Sequence, residues 1–404
     1  MTYKTMRSSF HEGKVHSEDE LASRLELPST KRLGFALDED ELFFTMCDDV
    51  YSLLLKAARL DKEIALLVRA LPPEAVNHYI DSSLIDEIVL TNDIEGVYSS
   101  RREISEVLDS LSKRVGKRRF RGLVQKYVML SSGQAVSLQT CEDIRALYDD
   151  LVLDEVVDAK KSNEPDGELF RAGTVDVFDG AGRVIHSGTY PESRIVEELG
   201  KALAILNDGS IEPLVRVSVF HYLFGFIHPF YDGNDRTNRF ISSYVISRHY
   251  EPIVGLRLSY AIKENISKYY GAFSTCEHKL NRGDLTPFVI AFCEIAVKAM
   301  TSMCGSLVER KAGLDKYTSK LDELPECSNP RVREIAEALV TATLFSPNGL
   351  TADQLGETFG VSRQTVYKRV DPLGNAGVLV KTKIGRKTFF TLDFRALDKG
   401  AVSR

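Results

Sequence analysis

The chain has 404 residues, a formal net charge of -6, and is 27% charged and 43% hydrophobic. That length predicts two or three domains, each able to bury its own core. The acidic balance argues against a protein whose whole surface binds nucleic acid, though not against a local basic patch.

Six cysteines (Cys47, Cys141, Cys276, Cys293, Cys304, Cys327) show neither metal-like nor paired spacing and read as reduced core thiols. The N-terminus has no apolar core like that of a signal peptide, and no run of 18 apolar residues exists, so the expectation is a soluble, cytoplasmic protein. Residues 1–38 are polar and aperiodic, which predicts a partly ordered arm. Residues 39–110 read as a helical region. Leu42, Met46, Val50, Leu53, Leu54 and Ala57 recur at three-to-four spacing, as on an amphipathic helix. LPPEAV, from Leu71, restarts a helix with proline in its first turn. Thr91-Asn92-Asp93-Ile94-Glu95-Gly96 follows, on its own an acidic residue at a helix end. Lys113, Arg114, Lys117, Arg118, Arg119 and Arg121 then form a basic cluster. It reads as a solvated face, a linker, or a surface for an acidic partner or nucleic acid.

Residues 111–310 read as the core. Val124 to Val157 is helical in spacing, with a polar break at SSGQ. From Arg171 to Tyr190 the pattern changes: β-branched residues flank an Asp179-Gly-Ala-Gly182 turn, which predicts a short hairpin. Pro191-Glu192 begins a helix through Leu206. The apolar run Leu214 to Ile227 leads into His228-Pro-Phe-Tyr-Asp-Gly-Asn-Asp-Arg-Thr-Asn-Arg239, and Phe240 to Ile246 leaves it. In this loop His228 is a candidate base, Asp232 a hard oxygen ligand, and Gly233-Asn234 allow tight turning. Arg236 and Arg239 share one helix face. Gly-rich backbone feeding a helix N-terminus beside two guanidiniums describes a polyphosphate cradle. The bland alternative is a helix–loop–helix corner with a buried histidine and surface arginines.

The stretch HPFYDGNDRTNR resembles the signature of Fic-domain proteins, HPF-x-[DE]-G-N-[GK]-R-x-x-R, at every fixed position except Asp235, where the family has Gly or Lys. The resemblance implies transfer of AMP from ATP to a Ser, Thr or Tyr hydroxyl of a target protein, and of the chain itself. His228 would be the catalytic base and Asp232 the Mg²⁺ ligand. Gly233, Asn234, Asp235 and Arg236 would bind the nucleotide, the first two through backbone N–H groups around the α-phosphate. Arg239 would hold the γ-phosphate. It further implies that Thr91 to Gly96 is the motif [ST]-x-x-x-E-[GN], whose Glu95 would pair with Arg239 and inhibit. The hairpin would be the flap that holds a target segment by strand addition. Asp235 admits several readings. It could point outward as a first-turn acidic residue, recruit a second ion, weaken nucleotide binding, or shift the nucleotide or reaction. Ser259-Tyr-Ala-Ile and Ser267-Lys-Tyr269-Tyr270 resemble the family's segment after the loop, where an aromatic near adenine is usual, although tyrosines are more often core. The helix PFVIAFCEIAVKAM, after Thr286, is apolar nearly all round and hence expected to be buried.

Residues 311–330 read as a charged linker helix ended near Pro325. In 331–404, Leu350 to Val370 fits a helix-turn-helix: the turn is Phe359-Gly360-Val361, and Ser362 caps a second helix bearing Arg363, Gln364, Thr365, Lys368 and Arg369. Asn375 to Val380 and Lys381 to Thr391 read as a basic-tipped wing. The whole resembles the winged helices of bacterial transcription regulators, which bind DNA or mediate protein contacts. The expected fold class is therefore mainly α: a helical Fic core with a β-hairpin flap and a C-terminal winged helix, alone or as a homo-oligomer. The leading expectation is a self-inhibited AMP transferase. The alternatives are a DNA-binding regulator with a degenerate core, or a relative that uses another nucleotide or removes AMP.

Overall fold

A computed structural model describes residues 3–12, 17–37, 40–111, 118–178 and 184–399. The Asp179–Gly182 turn and Lys113, Arg114 and Lys117 lie outside the described residues. The chain divides into two compact units, Met1–Lys62 with Leu84–Thr301, and Glu63–Ser83 with Ser302–Arg404. Most of both is helical.

The described residues of the partly ordered N-terminal arm form regular elements. They contain α1 (Met6–His11), α2 (Ser17–Leu25) and β1 (Thr30–Leu37), and β1 pairs antiparallel with β2 (Asp40–Thr45). Leu33 and Phe35 turn inward while their neighbours are exposed, a period-two pattern too short to stand out in sequence. The anchors are polar: Tyr3 O–H donates to Asp284 Oδ2 at 2.5 Å, and Arg24 Nη1 donates to the same oxygen at 3.0 Å. Leu42, expected on a helix, lies instead on β2, whose Phe43 exchanges bonds with Gly283 O and Leu285 N–H. The helix expected from Leu42 begins instead at Asp48, as α3 (Asp48–Arg69), followed by α4 (Pro73–Ile94), α5 (Arg101–Leu108) and α6 (Arg121–Ser131).

Next come α7 (Cys141–Tyr148), a π-helical turn (Asp149–Leu153) and α8 (Asp154–Ala159). The hairpin is β3 (Asp176–Phe178) paired antiparallel with β4 (Val184–Ser187). Then α9 (Glu192–Leu206) leads to α10 (Pro213–Ile227) and α11 (Asn234–His249). α10 is buried on every face from Leu214 to Phe224, as its mainly apolar sequence favours, with Arg216, Ser218 and His221 the polar exceptions. Phe220, Tyr222 and Phe224 are each 0% exposed, and complete burial of such side chains contributes about 1.5–3 kcal/mol each. α11 is as buried but polar, so its side chains must be satisfied internally: Asn238 Nδ2 bonds His221 O, and Ser242 Oγ meets His221 Nδ1. After α12 (Leu258–Glu264), α13 (Ile266–Glu277) adds the rings of Tyr269 and Phe273 to a cluster with Tyr222 and Phe288.

α14 runs unbroken from Thr286 to Lys320, so the charged stretch from residue 311 is helical, as expected, and continues the core helix. Pairs such as Lys311–Asp315 and Lys320–Glu323 line its exposed side, which is why it reads as a linker. An 18-residue window of this helix has mean hydropathy 1.5, enough for a membrane span by composition, but 67% of it is buried in the protein.

In the second unit, α15 (Pro330–Phe345) precedes β5 (Leu350–Thr351), α16 (Ala352–Phe359), α17 (Arg363–Asn375), β6 (Leu379–Ile384), β7 (Lys387–Leu392) and α18 (Phe394–Asp398). The sheet order is β5-β7-β6, all antiparallel. Thr351 forms a capping box with Gln354, and Ser362 Oγ caps Thr365 N–H. Leu355, Val366, Val370, Leu373 and Phe390 are each fully buried and supply the core of this piece.

Candidate active site

The loop between α10 and α11 is closed by its own side chains. Asn234 Oδ1 accepts Phe230 N–H at 2.9 Å and its Nδ2 donates to Phe230 O at 2.8 Å. Asn234 therefore offers a ligand only its backbone N–H. Phe230 stacks on Tyr148 with ring centroids 3.6 Å apart. Gly233 caps α11 at φ 76, and a Cβ there would meet Val152 and Tyr148 at 3.0 and 3.3 Å. Only glycine fits both demands. The first hydrogen bond of α11 is Thr237 N–H to Gly233 O, so the N–H groups of Asn234, Asp235 and Arg236 have no carbonyl of their own helix to bond. Three such donors at a helix N-terminus suit an anion. Gly233 N–H differs, being bonded to Asp232 Oδ1 at 2.5 Å.

His228 ends α10 in the left-handed region, φ 52, its N–H on Phe224 O. Arg171, unrecognised in the sequence, fixes this backbone. It is fully buried and donates to His228 O at 2.9 Å, Gly173 O at 2.6 Å, Thr189 O at 2.7 Å and Ile227 O at 3.4 Å. One guanidinium thus ties both bases of the hairpin to the loop. Thr189 N–H to Ile227 O and Arg171 N–H to Pro229 O complete the seam. Burial, aided by Arg171 and His186, pushes His228 down to about 4 rather than leaving it near neutral. At ordinary pH its imidazole is uncharged and can accept a proton.

The arginines are not surface groups: Arg236 and Arg239 are 2% and 0% exposed. Arg236 Nη1 lies 3.3 Å from Glu155 Oε2, on α8. Glu155 Oε1 accepts Phe120 N–H at 2.7 Å, and burial pushes this carboxyl up to about 7 against the pull of Arg236. Arg239 is held from α4: its Nε donates to Thr91 Oγ1 at 2.8 Å, and its Nη2 to Thr91 O at 3.0 Å and to Glu95 Oε1 at 2.9 Å. Asp235 does not point outward. Its Oδ2 leans along α11 to within 4.0 Å of Arg239 Nη1. Burial and the nearby Asp235 raise the Glu95 carboxyl, while Arg239 opposes the shift.

Two guanidinium nitrogens, Arg236 Nε and Arg239 Nη1, are buried without hydrogen-bond partners. Unspent donors of fixed charge beside free helix N–H groups fit a phosphate chain. For a divalent cation, Asp232 is the protein ligand at hand, its Oδ2 accepting from Asn163 Nδ2 at 3.3 Å. No cluster of three ligating side chains exists among the described residues. A single carboxylate supplemented by phosphate oxygens and water is the pattern that suits Mg²⁺, so the residues fit that ion.

Sequence reasoning named His228, Asp232, Gly233, Asn234, Asp235, Arg236, Arg239 and Glu95, and the fold brings all eight into one region. It missed Glu155 and Arg171. Neither lies in a motif, and only their tertiary partners reveal them.

Residues 139–246 match the family described as Fic/DOC. The chain is 29% identical over 161 residues to the protein adenylyltransferase fic-1 of Caenorhabditis elegans, covering 38% of this chain and 29% of that one. It is likewise 29% identical over 174 residues to the protein adenylyltransferase Fic of Drosophila melanogaster, covering 42% and 31%. The chain thus spans under a third of the length of these curated relatives. A crystal structure of a Fic family protein from Desulfovibrio desulfuricans G20 superposes with a TM-score of 0.53 at 20% identity, covering 86% of this chain and 97% of that one. That likeness shows a common mainly helical fold. With the motif, the loop geometry and the family match in agreement, residues 139–246 form a Fic domain.

Proposed function

We propose that the chain is a protein adenylyltransferase restrained by Glu95. The observation that carries this reading is the buried Arg239, paired with Glu95 at 2.9 Å while its Nη1, beside the α11 N-terminus, makes no hydrogen bond. The adenylyltransferase names of its relatives support the same chemistry.

In the proposed reaction His228 takes the proton of a target hydroxyl, whose oxygen bonds to the α-phosphorus of ATP. The bond from that phosphorus to the bridging oxygen breaks, and pyrophosphate leaves with the electron pair. The N–H groups of Asn234, Asp235 and Arg236 offset charge growing on the phosphate oxygens. Arg236 and Arg239 orient the remaining phosphates. Mg²⁺ held by Asp232 would neutralise phosphate charge. The hairpin would pair with an extended target segment, its edge aligned to His228 through Arg171. Glu95 occupies the Arg239 donor that a terminal phosphate would use, so ATP would sit wrongly for in-line attack.

Incubation with α-labelled ATP and Mg²⁺ tests the reading. The Glu95→Gly chain is expected to label itself, the unaltered chain weakly, and a Glu95→Gly, His228→Ala chain not at all. Failure of the Glu95→Gly chain to label itself or a lysate with any nucleoside triphosphate overturns it.

A second reading concerns the other unit. Arg363, Gln364 and Lys368 of α17 and Lys381, Lys383, Arg386 and Lys387 of the β6–β7 hairpin are all exposed. A capped helix beside a basic hairpin suits a duplex groove. Mobility shift at stated salt tests it: binding should weaken as salt rises and be lost with Lys383→Glu and Arg386→Glu together.

A further inference from the structure

α10 and α11 meet again at the end away from the loop, where the N-terminus of α10 faces the C-terminus of α11. From Arg216 to Ile227 the helix rises about 17 Å at about 1.5 Å per residue, so this end is remote from His228. Here a cavity of about 290 Å³ is lined by Arg216, Arg248, His249, Tyr244, Gln139 and Asn207.

Its charge is spent on neutral acceptors. Arg216, only 8% exposed, donates through Nη1 to Asp208 O at 3.3 Å and through Nη2 to His249 Nε2 at 2.6 Å. Its Nε is buried with no hydrogen-bond partner. Arg248 Nη1 donates to Gly133 O at 3.1 Å. Because His249 Nε2 accepts from a guanidinium, the ring is neutral and carries its proton on Nδ1. Glu212, the carboxylate whose field reaches His249, is engaged elsewhere. Its Oε2 takes the N–H groups of Leu214 and Val215, and its Oε1 takes the Tyr250 O–H. Two permanent cations therefore face one cavity, and one of them holds a buried donor with nothing to bond.

We propose that this cavity binds a small anion presenting phosphate or carboxylate oxygens to Arg216, Arg248 and His249. Guanidinium N–H groups donate charge-assisted hydrogen bonds to phosphate and carboxylate oxygens alike. The volume lies at the lower limit of small-molecule pockets, about 300 Å³, which selects a compact ligand over an extended chain.

Calorimetric titration of the full chain tests this without reference to nucleotidyl transfer. Inorganic phosphate and succinate are titrated separately, against chloride at matched ionic strength. Saturable binding of at least one, to one site per chain, is expected, and which one binds separates phosphate from carboxylate ligands. Arg248→Gln, at an exposed position that tolerates change, should weaken it tenfold or more. Arg216→Gln should do the same, with a thermal melt confirming that the variant is folded. Absence of saturable binding by both anions overturns the proposal. So does binding that survives Arg248→Gln, or that is lost in Arg236→Gln instead, which would place the anion in the loop.

Discussion

Asp235 Oδ2 stands 4.0 Å from Arg239 Nη1, one turn apart on the same helix, and Nη1 is the nitrogen of that guanidinium left without a hydrogen bond. Arg239 is thus flanked by carboxylates from two elements, Glu95 and Asp235. Freeing it from Glu95 leaves the second in place. In a Glu95→Gly background, Asp235→Asn should tighten ATP binding by roughly fivefold, about 1 kcal/mol for a partly exposed charge. Calorimetry with ATP reads this directly. Equal affinity with and without the Asp235 charge would show that it does not oppose the phosphates.

The low basicity of His228 sets a pH signature. Its folded value of about 4 lies below the ordinary histidine value of 6.5. The proton-accepting form therefore prevails at higher pH, and the transfer rate should be level above about pH 5 and fall tenfold per unit below about pH 4. The same depression means that the unfolded chain takes up this proton first. The associated stability is fully present above about pH 6.5 and is lost as pH falls through about 4. Single-turnover rates of the Glu95→Gly chain, where Glu95 no longer titrates, give the profile. An apparent pKa near 6.5 would mean that His228 is solvated.

Arg171→Met strips four backbone carbonyls of their shared donor at the junction of hairpin and loop. A loss of about 2–4 kcal/mol in stability is expected from the stranded acceptors. Because no contact to the phosphate cradle is removed, ATP affinity should change less than threefold while transfer falls at least a hundredfold. Denaturant melts, ATP calorimetry and labelling rates separate these effects.

Glu155→Gln removes a charge from Arg236 while preserving an oxygen for Phe120 N–H. Arg236 is then more available to phosphate, and ATP affinity should rise by about threefold at pH 8, where Glu155 is ionised, and less at pH 6, where it is already protonated. A fall in affinity at both pH values would show that Glu155 positions Arg236 rather than competing for it.

The His228–Arg239 loop was legible because its chemistry sits at fixed local spacing on a turn and one helix face. Glu95 was legible as a short motif, although its partner lies 144 residues away. Glu155 left no trace, since it follows a π-helical turn and meets Arg236 across 81 residues. Arg171 was equally hidden: its partners are carbonyl oxygens, which every residue possesses. For the fold, the mainly apolar run of α10 announced a buried helix. The order in the N-terminal arm was less legible, because Tyr3 and Arg24 are secured through Asp284, a polar anchor that hydrophobic periodicity cannot register.

Thr91 gives the Arg239 site a further property. Its hydroxyl and carbonyl oxygens grip Nε and Nη2 of the guanidinium independently of Glu95. Under the proposed inhibition, the arginine would keep its pose if the Glu95 carboxylate swung aside, and α4 would have no need to retreat. The change from a closed site to an open one would then need the rotation of one side chain rather than the movement of a helix.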